Sequence, residues 1–402
     1  MKTIIILGDG MADLPIPELG NRTPLMAANT PNIDRLAQIG CSGMYKTVPD
    51  DMPPGSEVAN LAVLGYDVRA VYQGRGVLEG AAMGVDILPG DLAMRCNLIC
   101  LEGDKIKNHS AGHISTPEGR ELIAALNDEF ANDKISFHAG VSYRHLLVLK
   151  NGSNEIKLTP PHDVPGTAWM DVLPQSIKPE GIETAELLTD LIRRSQTFLA
   201  QHPVNIKRSA AGKDPANCVW FWSAGMKPDM KTFMELYGKT GAVISAVDLL
   251  HGIGIYAGFQ VIYVEGATGL YNTNYEGKVA AALNALKEVD LVYLHIEAAD
   301  EAGHEGDFVL KTKCIEALDS RVVKPIMQAT IDQGEEVCIA FLPDHPTPCK
   351  LRTHTHVPIP FIIYKPGKTP DSVTRYDEEA AKAGYYGMFK GDDFMKELLK
   401  QN

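Results

Sequence analysis

Short apolar runs that break off into Asp, His and Gly recur along this chain. They predict both a buried sheet and the place where its chemistry sits. Leu291-Val292-Tyr293-Leu294 has the length and β-rich character of a strand covered on both faces, and the residues beyond it turn polar, with Gly303 between Asp300 and His304. Val337 to Leu342 repeats the pattern and stops at Pro343-Asp344-His345-Pro346. Ile4 to Leu7 repeats it again and ends in Gly8-Asp9-Gly10-Met11, where the glycines allow backbone to approach a ligand closely. A further strand, Phe361 to Tyr364, is entered through Arg352-Thr353-His354-Thr355-His356-Val357-Pro358-Ile359-Pro360.

Between these runs the periodicity changes. Pro31 to Ile39 reads as a helix closed by Gly40, followed by a strand over Gly43 to Thr47. The break Pro53-Pro54-Gly55 precedes an apolar-periodic segment and places Ser56 at a helix N-terminus. From about Leu88 the character shifts: a strand over Leu92 to Leu101, a turn at Glu102-Gly103-Asp104, a return strand at Lys105 to Lys107 and a helix over Arg120 to Phe130. A strand at Leu146 to Leu149 and an amphipathic helix over Glu183 to Gln201 come next, and the polar stretch Asn205 to Asn217 reads as the return to the first domain. Strands at Val219 to Trp222, Gly241 to Val247 and Gln260 to Val264, a helix over Lys278 to Lys287 and a terminal helix over Asp392 to Lys400 complete the chain. The alternation predicts an α/β fold, a doubly wound, mostly parallel sheet, with an inserted smaller α+β domain at 88–215 between its two parts at 1–87 and 216–402.

In open α/β sheets ligands bind beyond the carboxyl ends of the strands. The residues delivered there are Asp9, Asp300, His304, Asp344 and His345, with His354 or His356 nearby. Carboxylate oxygens and neutral imidazoles suit divalent ions such as Mn²⁺ or Zn²⁺ without any thiolate. The plainer alternatives are a solvated Asp-His pair one helical turn apart and an Asp that caps a turn. Ser56 also has two readings: a helix cap, or a nucleophile whose alkoxide or phosphoryl ester would meet unpaired N–H groups and the positive end of the helix dipole. Arg75, flanked by Gly74 and Gly76, either reaches a phosphate or finishes a turn. His113, Arg144, His145 and His162 either converge on an anion or pack and face solvent individually.

Composition narrows the classes. A chain of 402 residues, 45% of them hydrophobic, can build one large domain and a smaller one. A formal net charge of −13 argues against nucleic acid or an anionic membrane as partner, so any phosphate site must be local. The N-terminal apolar run is too short for a signal peptide or a membrane span. Seven scattered cysteines without a Cys-x-x-Cys pair fit reduced thiols in a cytoplasm. Neither a P-loop nor a kinase glycine-rich loop is present.

Taken together, Gly8-Asp9-Gly10-Met11, Gly55-Ser56-Glu57-Val58-Ala59-Asn60-Leu61, Leu64-Gly65-Tyr66-Asp67, Gly74-Arg75-Gly76, Gly266-Ala267-Thr268-Gly269, Thr273-Asn274-Tyr275, Asp300-Glu301-Ala302-Gly303-His304 and Pro343-Asp344-His345 resemble the alkaline phosphatase superfamily. Within it they resemble the archaeal-type, 2,3-bisphosphoglycerate-independent phosphoglycerate mutases. The resemblance implies two divalent ions, Mn²⁺, Zn²⁺, Co²⁺ or Mg²⁺, one on Asp300, His304 and His354, the other on Asp9, Ser56, Asp344 and His345. His354 is taken before His356 because the family's His stands four residues ahead of its Pro-x-Pro, here Pro358-Ile359-Pro360. It further implies that Ser56 takes the phosphoryl group of 3-phosphoglycerate and returns it to the other hydroxyl, a glycolytic reaction, while the inserted domain holds the carboxylate and excludes water. Where the archaeal mutases carry arginines, this chain has Asn108-His109-Ser110-Ala111-Gly112-His113. That departure points to a bacterial branch of the same family proposed to be homoserine kinase. A non-catalytic metal-binding paralogue is a third alternative.

Overall fold

A computed structural model of the chain describes residues 1–400. Two compact units account for them: residues 1–72 with 229–400, and residues 73–228. The first unit is built on an eight-stranded sheet. Its strands in chain order are β1 (Lys2–Gly8), β2 (Cys41–Lys46), β3 (Gly241–Ile244), β4 (Gln260–Ile262), β5 (Leu291–Ile296), β6 (Val337–Leu342), β7 (Ile359–Tyr364) and β8 (Met388–Lys390). Across the sheet they lie in the order β4-β3-β5-β1-β6-β7-β2-β8, and β7 alone runs against the rest.

The continuous apolar runs follow from this topology. β1, β5 and β6 are adjacent and parallel at the centre of the sheet, and every residue of β5 and β6 is buried. Ile4 and Ile6 face a core that includes the helices Pro31–Ile39, Tyr275–Glu288 and Phe308–Leu318; Ile5 and Leu7, equally buried, point to the opposite face. Because β7 is antiparallel to β6, the loop between them returns at the edge where β1, β5 and β6 end. His354 lies on that loop. Among the described residues no helix is long and apolar enough to cross a membrane.

The second unit carries an antiparallel sheet of its own, in the order Lys105–Asn108, Asp91–Glu102, Arg144–Lys150, Ile135–Val141. Three expectations are corrected here. The run at Val219 to Trp222 lies within a longer strand, Cys218–Met226, that pairs with Asp91–Glu102 rather than joining the parallel sheet, because Trp220 and Phe221 fill the second core. The stretch Asn205 to Asn217 is not simply a polar return: Pro203–Ala210 is a helix whose Asn205 and Arg208 are buried among backbone carbonyls. Arg144 and His145 stand inside a strand, not ahead of it.

One buried ion pair ties the loops that follow β1 and β6. Lys311 Nζ donates to Asp13 Oδ2 at 2.8 Å, to Thr347 O at 2.9 Å and to Ala12 O at 3.1 Å, with both charged side chains fully enclosed. Asp13 Oδ2 also accepts the Cys349 N–H. Removing the ammonium strands a buried carboxylate and two carbonyls, so Lys311→Met is expected to lower the unfolding free energy by about 3–5 kcal/mol. Urea denaturation measures this, and a loss below about 1 kcal/mol, the level of an exposed pair, would show that the pair holds nothing together.

Candidate active site

Each side chain of the site is delivered by a strand end or a helix start of the first unit. Asp9 follows β1, Asp300 and His304 lie on the helix Ala298–Glu305 after β5, and Asp344 and His345 follow β6. Ser56 is the first residue of the helix Ser56–Val63, whose cap is Gly55; its hydroxyl makes no capping bond and instead lies 3.0 Å from His345 Nε2. Gly10 has a φ of +61°, and a Cβ there would fall on Asp300 Oδ1, so glycine is required for Asp9 and Asp300 to approach.

Two groups of ligand atoms result. In the first, His304 Nε2 is 3.2 Å from Asp300 Oδ2, His354 Nε2 is 3.5 Å from Asp300 Oδ1, and the two imidazole nitrogens are 2.9 Å apart. In the second, His345 Nε2 is 3.0 Å from Ser56 Oγ, 3.4 Å from Asp344 Oδ2 and 3.7 Å from Asp9 Oδ1. Asp9, Asp300 and His345 also converge on one another, so Asp300 borders both groups. His356 does not join: its Nε2 lies 2.8 Å from the Met52 carbonyl.

The surrounding hydrogen bonds settle the tautomers. His304 Nδ1 faces the Arg352 carbonyl, His354 Nδ1 faces the Pro54 carbonyl, and His345 Nδ1 faces Thr347 Oγ1, whose own proton goes to Asp300. Each Nδ1 therefore carries the hydrogen, and each Nε2 lone pair points into the cluster. Two such lone pairs 2.9 Å apart repel unless a cation or a proton lies between them. Donors sharing one ion at about 2.0–2.2 Å in a tetrahedral site stand roughly 3.3–3.5 Å from each other, close to the separations here.

Charge makes the same demand. Asp9, Asp300 and Asp344 are buried, and among the described residues every ion-pair partner they have is an imidazole. Burial, aided by the charges of Asp344 and Asp300, pushes the Asp9 carboxyl well above the usual range. Burial pushes Asp300 the same way, but without a cation a second proton settles on the Nε2 side of His304 and His354, and the hydrogen bonds it makes hold that carboxyl well below the usual range. The bond to Asp300 in turn raises His304 to about 9. Asp9 Oδ1 is buried with no hydrogen-bond partner. An orphaned oxygen, three clustered carboxylates and inward lone pairs fit divalent cations.

Sequence reasoning missed the groups that orient these ligands. His295 Nε2 lies 2.9 Å from Asp9 Oδ2, and its Nδ1 lies 3.1 Å from Ser245 Oγ, which accepts the Val247 N–H. Ser245 therefore gives its proton to Nδ1, and His295 donates through Nε2 as a neutral ring, its pKa pressed to about 3 by burial. Asn60 donates to Asp344 Oδ2 and to the Ser56 carbonyl and accepts from the Tyr293 hydroxyl. Two signals were available: Tyr293 and His295 share one face of a strand, and Asn60 lies one helical turn from Ser56.

The remaining expected site residues lie in the second unit. His113, Arg144 and His162 gather around Tyr143 and Trp222 with His109 and Arg95, and Arg75 reaches the same group through Glu79. His145 stands apart. As the strand neighbour of Arg144 it points to the opposite face, buried, with Nδ1 accepting the Gly140 N–H.

A family model described as 2,3-bisphosphoglycerate-independent phosphoglycerate mutase matches residues 37–205. The chain is 51% identical to the 2,3-bisphosphoglycerate-independent phosphoglycerate mutase of Methanosarcina acetivorans over the whole of both sequences. Among solved structures it is similar to a Pyrococcus horikoshii protein, with 32% identity, a TM-score of 0.84 and coverage of 100% of this chain and 98% of the other. It is also similar to the cofactor-independent phosphoglycerate mutase of Thermoplasma acidophilum, with 29% identity, a TM-score of 0.70 and 99% of each chain covered.

Ser245→Ala removes the group that fixes the His295 ring, and His295 is what holds Asp9. The variant is expected to bind Mn²⁺ or Zn²⁺ about 10–100-fold more weakly, measured by competition with a chelating dye. Unchanged affinity would show that Asp9 is oriented without this relay.

Proposed function

The chain belongs to the 2,3-bisphosphoglycerate-independent phosphoglycerate mutases, a family of isomerases, and from that membership we propose that it interconverts 3-phosphoglycerate and 2-phosphoglycerate through a phosphoserine at Ser56. The observation that carries the choice of nucleophile is the Ser56 hydroxyl, free of capping duty and 3.0 Å from His345 Nε2. Ser56 Oγ would attack phosphorus as the bond to the C3 oxygen breaks, and the proton Ser56 gives up would end on that oxygen. Glycerate would then turn without leaving, and its C2 oxygen would take the phosphoryl group back from Ser56, restoring the hydroxyl.

The first turn of Ser56–Val63 presents N–H groups with no intrahelical acceptor, which favours negative charge on a phosphoserine. Asn60, by holding the Ser56 carbonyl and Asp344 together, keeps the nucleophile and its neighbouring carboxylate in register. We assign one ion to Asp300, His304 and His354 and the other to Asp9, Ser56, Asp344 and His345. Bound divalent ions would offset phosphoryl charge and lower the proton affinity of the Ser56 hydroxyl. Mn²⁺, Co²⁺ and Zn²⁺ all suit this oxygen and nitrogen donor set. The buried floor of Asp9, Asp344 and His345 and the more open rim of Ser56, His304 and His354 would let phosphate enter from one side only.

Phosphorus NMR of the purified protein with 3-phosphoglycerate is expected to show 2-phosphoglycerate. Chelation should abolish the conversion, and Mn²⁺, Co²⁺ or Zn²⁺ should restore it. Ser56→Ala should lose about a thousandfold or more in rate while keeping its fold. Conversion by metal-free protein or by Ser56→Ala would overturn the scheme. Formation of O-phosphohomoserine from homoserine and ATP, with no 2-phosphoglycerate, would reassign the substrate.

A further inference from the structure

His356 joins neither ligand group, yet it stands two residues from His354 and its ring is engaged. Its Nε2 lies 2.8 Å from the Met52 carbonyl, and His354 Nδ1 lies 3.1 Å from the Pro54 carbonyl. Both rings therefore hold one segment, Met52-Pro53-Pro54, which runs through Gly55 directly into Ser56. A carbonyl oxygen only accepts, so His356 Nε2 carries a hydrogen and has no lone pair to offer an ion.

The segment has few other means of attachment. Pro53 and Pro54 have no N–H; each ring fixes its own φ and restricts the residue before it to extended backbone. The Met52 N–H turns back to the Pro49 carbonyl at 3.1 Å. Asp51 pairs with Arg69 at 2.6 Å, but both side chains are more than half exposed, and such a pair holds little. The stretch is stiff, and its carbonyls are what remain to tie it down. The helix that follows adds no side-chain cap at this end: its cap is Gly55, and the Ser56 hydroxyl makes no capping bond. One turn on, Asn60 Nδ2 donates to the Ser56 carbonyl at 2.8 Å. That bond fixes the helix after Ser56, and the approach to Ser56 is left to the two imidazoles.

His356 is itself held in place. Lys46, at the end of β2, donates from Nζ to the His356 carbonyl and to Asp50 Oδ1, each at 2.6 Å, so it ties the loop before Ser56 to the loop that carries both histidines. The Thr355 N–H donates to the Pro346 carbonyl at 3.1 Å, closing the second loop on itself just before His356.

We infer that His356 is a positioning residue for the nucleophile: through the Met52 carbonyl it sets where Gly55, and with it the Ser56 hydroxyl, stands. The inference rests on the assignment of Ser56 as the attacking group. In-line attack needs the oxygen at close range and aligned, and a displacement of about 1 Å costs roughly a hundredfold in rate. The two histidines divide the work. His354 faces the first ligand group through Nε2 and the loop through Nδ1, whereas His356 serves the loop alone, so its contribution can be removed without removing a ligand.

Steady-state kinetics of the metal-loaded enzyme with 3-phosphoglycerate, run beside ion competition with a chelating dye, separate placement from ligation. His356→Leu keeps bulk and removes the donor. It should lower kcat about 10–100-fold and leave KM, ion stoichiometry and ion affinity close to wild type, the pattern of an interaction that counts in the transition state. His356→Gln, whose amide nitrogen reaches about as far as Nε2, should recover most of kcat. If His356→Leu fails to fold, His356→Asn takes its place, because its amide stops short of Met52. Wild-type kcat in the variant without the donor, or His356→Gln as slow as His356→Leu, would overturn the inference. So would loss of a bound ion in His356→Leu, which would make His356 a ligand. Conversion by wild type and variants alike sinks the inference alone, whereas wild type that converts no 3-phosphoglycerate sinks the assignment of Ser56 and the inference with it.

Discussion

Three buried carboxylates that meet, among the described residues, without a guanidinium or an ammonium are the constraint on which the first unit depends. Desolvated like charges at this spacing repel strongly, and the protein does not relieve them with its buried lysines. Lys311 is committed to Asp13 and two carbonyls, and Lys278, lowered to about 8 by burial, donates to the His295 carbonyl. Relief is left to imidazoles: His295 donates through Nε2 to Asp9, and the Nε2 atoms of His304, His345 and His354 face the cluster. Divalent ions bound as proposed would make this arrangement favourable and would couple the integrity of the strand ends to metal binding.

The sheet order explains why so few loops are needed. With β5, β1 and β6 adjacent, Asp9, Asp300 and Asp344 arrive from consecutive strand ends, and the reversed strand β7 returns the chain to the same edge so that His354 can close the first ligand group. Ser56 comes from a helix start, which supplies unpaired N–H groups as well as a hydroxyl. Strand ends and the helix after β5 position the acidic groups, and a helix terminus positions the Ser56 hydroxyl.

Much of this was legible in the sequence because central parallel strands are buried on both faces and so read as unbroken apolar runs with sharp polar ends. Asp9, Asp300, His304, Asp344, His345 and Ser56 sit at those ends or at a Pro-Gly break. Less legible were residues whose role is relational. His295 sits inside a run that reads as strand, and only the fold places it against Asp9 and Ser245. Alternation along a strand also separates Arg144 from His145, two of the four residues whose convergence on an anion was one reading of the sequence. Cys218–Met226 misled for a different reason: an apolar strand announces burial but not which sheet it joins, and only its pairing with Asp91–Glu102 decides that.

The chain's acidity sets a final condition on how it takes an anionic substrate. A formal charge of −13 disfavours long-range attraction of a phosphorylated acid, so capture falls to groups within contact range. At physiological salt the surface field is screened beyond about 8 Å, whereas partly buried charges are screened much less. Arg95, stacked on Trp222 and lowered to about 10 chiefly by burial, belongs to the second kind. The rings of His109 and His162 beside it, lowered chiefly by burial, add less repulsion among the cations than further guanidiniums would.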